Sequence, residues 1–218
     1  ESIKESAFSG VTTLTSLTLP NTLEYIGKFA FGYCENLTTL TLVKNITIDE
    51  KAFGGCKNLS TINNIEYIKN FAPYVFASTA IVTLSLEDVV ISESAFAGIT
   101  TLKEVRIKTN IELGKRAFAN CENLETIIID APALGEESFN NCVKLNNITL
   151  TNVSEIKSSV FKGCTTLSNI ESSIITKIGD YAFSDCTNLS NISFENVEEI
   201  GAYAFASTDL KITNQLTN

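Results

Sequence analysis

Hydrophobic residues along this chain return in one fixed phrase, ten times over. Its centre is a phenylalanine, at positions 8, 31, 53, 76, 96, 118, 139, 161, 183 and 205, with steps of 23, 22, 23, 20, 22, 21, 22, 22 and 22 residues. Counting that Phe as zero, an aliphatic or aromatic residue lies at −5 (Ile3, Ile26, Ile48, Phe71, Ile91, Leu113, Leu134, Ile156, Ile178, Ile200). A small or β-branched residue precedes the Phe, cysteine occupies +3 in six copies, and aliphatics follow at +6, +9 and often +11, as in Leu37, Leu40 and Leu42. Self-similarity at such a period means stacked coils, each of which buries its apolar side only against its neighbours.

Alternation of apolar and polar residues after +8 predicts a half-buried strand. Thr39–Leu42, Val105–Ile107, Ile127–Ile129 and Ile148–Leu150 are rich in the types that strands favour. Positions −1, 0, +3 and +6 have helical spacing and predict a short helical or 3-10 segment, held by packing because it is too short to stand alone. Gly27, Gly114, Gly135, Gly179 and Gly201 precede this segment, where the chain must bend into it. The expected fold is α/β: a single right-handed leucine-rich-repeat solenoid over residues 1–218, with about ten coils of 20–23 residues. One face is a parallel sheet and the other carries short helical or 3-10 segments. Two copies, at Phe76–Thr79 and Phe205–Thr208, read Phe-Ala-Ser-Thr and bring the next aliphatic, Ile81 or Leu210, one residue early. They read as a systematic variant.

Charge narrows the partners. The net charge is −9, which opposes binding to a phosphate backbone. Histidine is absent, removing the commonest general base, the Ser–His–Asp arrangement and the usual zinc ligand, so no catalytic residue and no cofactor are expected. No run approaches the roughly 18–20 apolar residues of a membrane span. The chain opens at Glu1 inside a repeat, without an initiator Met, and is expected to be an excerpt of a longer protein.

The phrase Ile-Gly-x-x-Ala-Phe-x-x-Cys-x-x-Leu-x-x-Ile or -Leu, seen at Ile26–Leu40 and Ile178–Ile192, resembles the BspA-like class of leucine-rich repeats. The resemblance covers essentially the whole chain. The family's usual Pro after the strand survives only at Pro20. The resemblance implies a surface-exposed or secreted protein of a mucosal microbe, bacterial or protozoan. It implies an adhesive role toward extracellular matrix proteins such as fibronectin or fibrinogen, or toward neighbouring cells. The repeated letters are core positions, so no binding residue carries over.

Candidate sites therefore lie between those letters. Outward strand positions, +8 and +10, are Ser16, Thr18, Thr39, Thr41, Thr61, Asn63, Glu104, Arg106, Thr126, Ile128, Asn147, Thr149, Asn169, Glu171, Asn191 and Ser193. Such a strip is either a solubilising surface or an adaptable hydrogen-bonding face for a protein or glycan. Its distinctive zone is central, where Glu104, Arg106 and Lys108 stand beside Thr126, Ile128 and Asp130, with Thr39 and Thr41 on an earlier coil. Ile128 is an outward aliphatic on a polar strip and marks a candidate anchor.

Cys34, Cys56, Cys121, Cys142, Cys164 and Cys186 share the +3 slot with Val11, Thr79, Ile99 and Thr208. Interchange with Val and Ile favours free core thiols, with a disulfide between rungs such as Cys142 and Cys164, or a metal, as the alternatives. Glu136 and Glu137 are expected at the positive end of a helical segment. Tyr181 and Tyr203 share the −2 position and are expected to stack. Seven Asn-x-Ser/Thr sequons occur, and Asn36, Asn58 and Asn188 repeat one turn position before a core leucine. Two functions stay open: a monomeric cell-surface or secreted adhesion module acting through the sheet face, and a passive stalk or spacer presenting other domains.

Overall fold

A computed structural model describes residues 1–170, 174–192 and 195–211. The ten phrases bound nine turns of a parallel-sheet solenoid. Its principal sheet runs along the axis in three stretches. Strands Ser16–Thr18, Thr39–Thr41 and Thr61–Asn63 form the first. Thr83–Glu87, Glu104–Lys108, Thr126–Asp130 and Asn147–Thr151 form the second, and Asn169–Ile170 with Asn191–Ile192 the third. Pairing is parallel and in register coil by coil, as Leu17↔Leu40↔Ile62 and Leu84↔Val105↔Ile127↔Ile148 show. Between the first two stretches the chain turns through Asn64, which has a left-handed backbone, into the 3-10 segment Ile65–Tyr67.

A second parallel sheet forms at the −5 positions. Its strands are two residues long, as in Tyr25–Ile26 with Thr47–Ile48 and Lys177–Ile178 with Glu199–Ile200. Most put one apolar side chain inside, and the −5 residues from Ile26 to Ile178 are all buried, including Leu113 and Leu134, which lie in none of these strands.

The return segment differs from the helical expectation, for a reason visible in its backbone. In every coil the residues at −2 and +2 have a positive φ: Ser6 and Gly10 in the first, Arg116 and Asn120 in the sixth, Tyr203 and Ser207 in the last. Two left-handed residues four apart cannot continue an α-helix. They turn alternate amides in alternate directions instead. The N–H groups at −1 and +1 close tight turns on carbonyls three residues back, as Ala117 to Gly114 and Ala119 to Arg116. Those at −2, 0 and +2 point along the axis and donate to the next coil: Arg116 to Glu136 at 2.9 Å, Phe118 to Ser138 at 2.8 Å and Asn120 to Asn140 at 2.8 Å. The same triplet recurs at all nine steps. A left-handed non-glycine residue costs roughly 1–2 kcal/mol. Three intercoil bonds at about 0.5–1.5 kcal/mol net each are of the same order, so the turn is sustainable only when a neighbour is in place.

Inside, the ten phenylalanines form one ladder. Adjacent ring centroids lie 5.1 to 6.1 Å apart, with planes 4° to 16° from parallel. The widest step, Phe76 to Phe96, is where Phe71 tilts in at 5.1 Å from Phe96. Close packing reaches the backbone: a Cβ at Gly135 would stand 2.4 Å from the Leu113 carbonyl oxygen, so glycine there answers the approach of the preceding coil. Ser138 sits where most coils have Ala, and its fully buried hydroxyl has no partner among the described residues.

Two opposite stability changes follow. Phe118→Ala should lower the unfolding free energy by about 3–5 kcal/mol, the usual penalty for emptying a buried aromatic site. Ser138→Ala should raise it by about 1 kcal/mol by removing an unsatisfied polar group. Urea titration of the two variants against the parent chain reads both.

Candidate interaction surface

The widest outward surface belongs to the four five-residue strands of the principal sheet. Alternation sends Val105, Ile107, Ile127 and Ile129 inward and leaves Glu104, Arg106 and Lys108 beside Thr126, Ile128 and Asp130 on the outer face. Register makes each of these a direct pair: Glu104 with Thr126, Arg106 with Ile128, Lys108 with Asp130. Opposed side chains on one face of neighbouring strands lie within contact reach. Arg106 and Lys108 are exposed, whereas Glu104, Thr126, Ile128 and Asp130 are half-buried. The Arg106 guanidinium pairs with Glu104 along its own strand. Asn152 donates to Asp130 at 2.7 Å. A concavity of about 390 Å³ opens where these strands end, lined by Asp88, Lys108, Asn110, Asp130 and Asn152.

Six of the eight expected residues thus come together. Thr39 and Thr41 do not: they belong to the first stretch of sheet, separated from the six by strands Thr61–Asn63 and Thr83–Glu87. Glu171 and Ser193 lie outside the described residues. The structure adds Ser85 and Glu87, which oppose Arg106 and Lys108 from the other side. The +8, +10 frame skips them because the strand of this coil comes one residue early, and the early arrival of Ile81 is the signal that shifts the frame.

The cysteines are free and buried. Each does more than fill space. Its thiol donates to the carbonyl oxygen of the preceding coil's Phe, at 3.0 Å from Cys34 to Phe8 and 3.3 Å from Cys142 to Phe118. In the two variant coils the hydroxyls of Thr79 and Thr208 bond the carbonyls of their own Phe76 and Phe205, both at 2.8 Å. Desolvation pushes the Cys56, Cys121 and Cys186 thiols up to about 12. Cys142 and Cys164 are likewise raised well above the ordinary thiol value by the same cause. A thiol that stays protonated is a poor nucleophile and metal ligand.

Other marked residues resolve into intercoil ties. Glu136 and Glu137, without a helix to start, pair across the step with Lys115 at 3.0 Å and Arg116 at 2.6 Å. Tyr181 and Tyr203 stack at 5.1 Å. Asn36, Asn58 and Asn123 each donate to a carbonyl of the preceding coil, at 2.8, 2.8 and 2.6 Å. Among the described residues no helix is long and apolar enough to cross a membrane, and no group of three His, Cys, Asp or Glu side chains could hold a metal ion.

Coils of this length, with one parallel strand each and a buried aliphatic and aromatic ladder, define a leucine-rich-repeat solenoid. The BspA type leucine-rich repeat region, described in units of 6 copies, matches residues 1–90, 44–133, 73–174 and 112–217, and the chain belongs to that family. It is similar to a leucine-rich repeat protein from Bacteroides ovatus, with 26% identity and a TM-score of 0.88 over 94% of this chain and 58% of that one. The chain therefore spans little more than half of that relative. The T. pallidum leucine-rich repeat protein TpLRR shares the fold at 17% identity, with a TM-score of 0.60 over 93% of this chain and 90% of its own. The pneumococcal vaccine antigen PcpA does so at 17% identity, with a TM-score of 0.52 over 99% and 61%. No curated protein matches the chain. Leucine-rich repeats of this kind are generally interaction scaffolds and typically non-catalytic.

The raised thiols set a pH window. A folded-state proton affinity above the unfolded value of about 8.5 means that the folded chain holds more protons as pH rises, so stability falls with pH there. Thermal denaturation should be insensitive to these groups below about pH 8.5 and lose ground steadily from there towards pH 12. A thiol reagent should find six reactive groups in denaturant without reductant and almost none in the native chain. Two or fewer in denaturant would restore the disulfide reading.

Proposed function

We propose that this chain is a non-enzymatic interaction module, displayed at a cell surface or secreted, that binds a macromolecule through the outer face of its central sheet. The observation that carries the reading is the register pair of Arg106 and Ile128. It sets an exposed guanidinium against an outward aliphatic at the middle of the widest sheet. Arginine and a large apolar side chain at the centre of a polar surface are the composition of an interface hot spot. Lys108 and Asp130 beside the concavity supply opposite charges at its rim, which suits orientation more than affinity. Support for an adhesive role comes from the family, whose members are generally interaction scaffolds. The partner class is an extracellular matrix or cell-surface protein, or a glycan on one, met by the monomer. No metal or cofactor is involved.

The same regular ladder would serve a passive spacer, and one variant decides between the two. Arg106→Glu combined with Ile128→Asp should weaken binding to immobilised fibronectin or fibrinogen by at least about tenfold, roughly 1.4 kcal/mol. Both side chains face outward, so the melting temperature should stay within a degree or two of the parent. Parent chain that fails to bind either matrix protein in surface plasmon resonance would favour the spacer.

A further inference from the structure

The turn side of the solenoid carries a cleft that no repeat position demands. Phe29, Lys51 and Tyr74 hold the −2 slots of three successive coils, and Tyr33, Gly55 and Ser78 hold their +2 slots. All six have a left-handed backbone, with φ between 55° and 76°. Between the two rows lies a cleft of about 280 Å³, with Gly54 and Ala77 between its walls and Lys57 at its edge.

Residue choice here runs against conformational cost. Left-handed backbone is cheapest for glycine and for small polar residues. Some other coils comply, with Ser6, Ser94 and Ser159 at −2 and Gly10, Gly98 and Gly163 at +2, whereas Arg116, Glu137, Tyr181 and Tyr203 at −2 do not. Phe29, Tyr33 and Tyr74 instead mount bulky rings on strained backbone outside the core, and Tyr33 is 55% exposed. The left-handed backbone is common to every coil, and what distinguishes this stretch is the gathering of three rings around one lysine on adjacent coils. Gly55 keeps the cleft open: a Cβ there would stand 2.6 Å from the Tyr33 ring.

The cleft also has a charge. The Lys51 ammonium lies 5.2 Å from the Phe29 ring centroid and 4.8 Å from that of Tyr74. Two aromatic faces hold a cation in place. Lys28 takes Glu50 at 2.8 Å and Lys57 takes Glu35 at 2.7 Å, leaving Lys51 to share Glu50 at 3.6 Å. Lys51 and Lys57 line the cleft and no carboxylate does, on a chain whose net charge is −9. Glu93 accepts from the Tyr74 hydroxyl at 3.5 Å and does not line the cleft.

We propose that this cleft binds one acidic sugar residue, a pyranose bearing a carboxylate, with its C–H face on Tyr33 and Tyr74 and its carboxylate toward Lys51. The volume is that of a single ring, at the lower limit of ligand pockets. An open cleft suits a hydroxylated ligand better than an apolar aromatic acid, which needs enclosure. The site shares no residue with the central sheet face and stands independently of the role proposed for that face.

Ligand-observed and protein-observed NMR titrations of the whole chain with glucuronic acid, N-acetylneuraminic acid and glucose test it. At least one acid should shift the Tyr33 and Tyr74 ring signals saturably in the millimolar range, with glucose at least about tenfold weaker. Tyr33→Ala should lower that affinity about tenfold, with the melting temperature unchanged because the ring is exposed. Lys51→Gln should abolish the preference for acid over glucose, and Tyr74→Phe should keep binding. No saturable shift with either acid, equal binding of glucose, or unchanged binding by Tyr33→Ala would each overturn the proposal.

Discussion

Each coil of this protein up to that of Phe183 carries three backbone amides, at −2, 0 and +2, that are satisfied by the next coil. The rest of the structure depends on that constraint. The left-handed residues that aim these amides along the axis are unfavourable in an isolated turn. Met by a neighbour, they become a third hydrogen-bonded ladder beside the two sheets, with bonds such as Phe53 to Val75 at 3.1 Å and Phe161 to Ala182 at 2.9 Å. The Phe amide belongs to this ladder, so the aromatic stack and the backbone ladder hold one register.

Side chains repeat the same logic. Each cysteine thiol bonds the Phe carbonyl one coil back, and turn asparagines do likewise from +5. Charged pairs such as Lys177 with Glu199 also cross one step. Many polar groups near the turns are thus committed to an adjacent coil, and the outer sheet face and a few turn-side rings are open to other molecules. The central sheet face and the aromatic cleft differ in chemistry because they draw on different freedoms. One uses outward strand positions that tolerate any residue, and the other uses strained turn positions where bulky residues are costly.

Much of the core was legible in the amino-acid order. The eight repeat phenylalanines from Phe31 to Phe183, with the −5 residues from Ile26 to Ile178 and the +6 leucines from Leu37 to Leu189, occupy the interior expected of them, while the end coils expose Phe8 and Ile200. Alternation placed Arg106 and Ile128 on one face correctly. Helical spacing at −1, 0, +3 and +6 misled, because a chain of tight turns brings those positions to one side as well as a helix does. Glycine at Gly10, Gly55, Gly98 and Gly163, with Asn120, Asn141 and Asp185 in the same slot, was the available sign of left-handed backbone. Lys51 and Arg116 at −2 carried no such sign.

Periodicity alone therefore settles the stack, its step and its inward residues, since burial repeats with the coil and apolar types report burial directly. Which residues meet across coils is a matter of three dimensions. The strand that arrives one residue early after Phe76 brings Ser85 and Glu87 into line with Arg106 and Lys108, and the break at Asn64 sets Thr39 and Thr41 apart. The sandwich of Lys51 between Phe29 and Tyr74 is likewise invisible in one dimension. Those residues lie more than twenty positions apart, and only the stacking of backbone-bonded coils brings them within 6 Å.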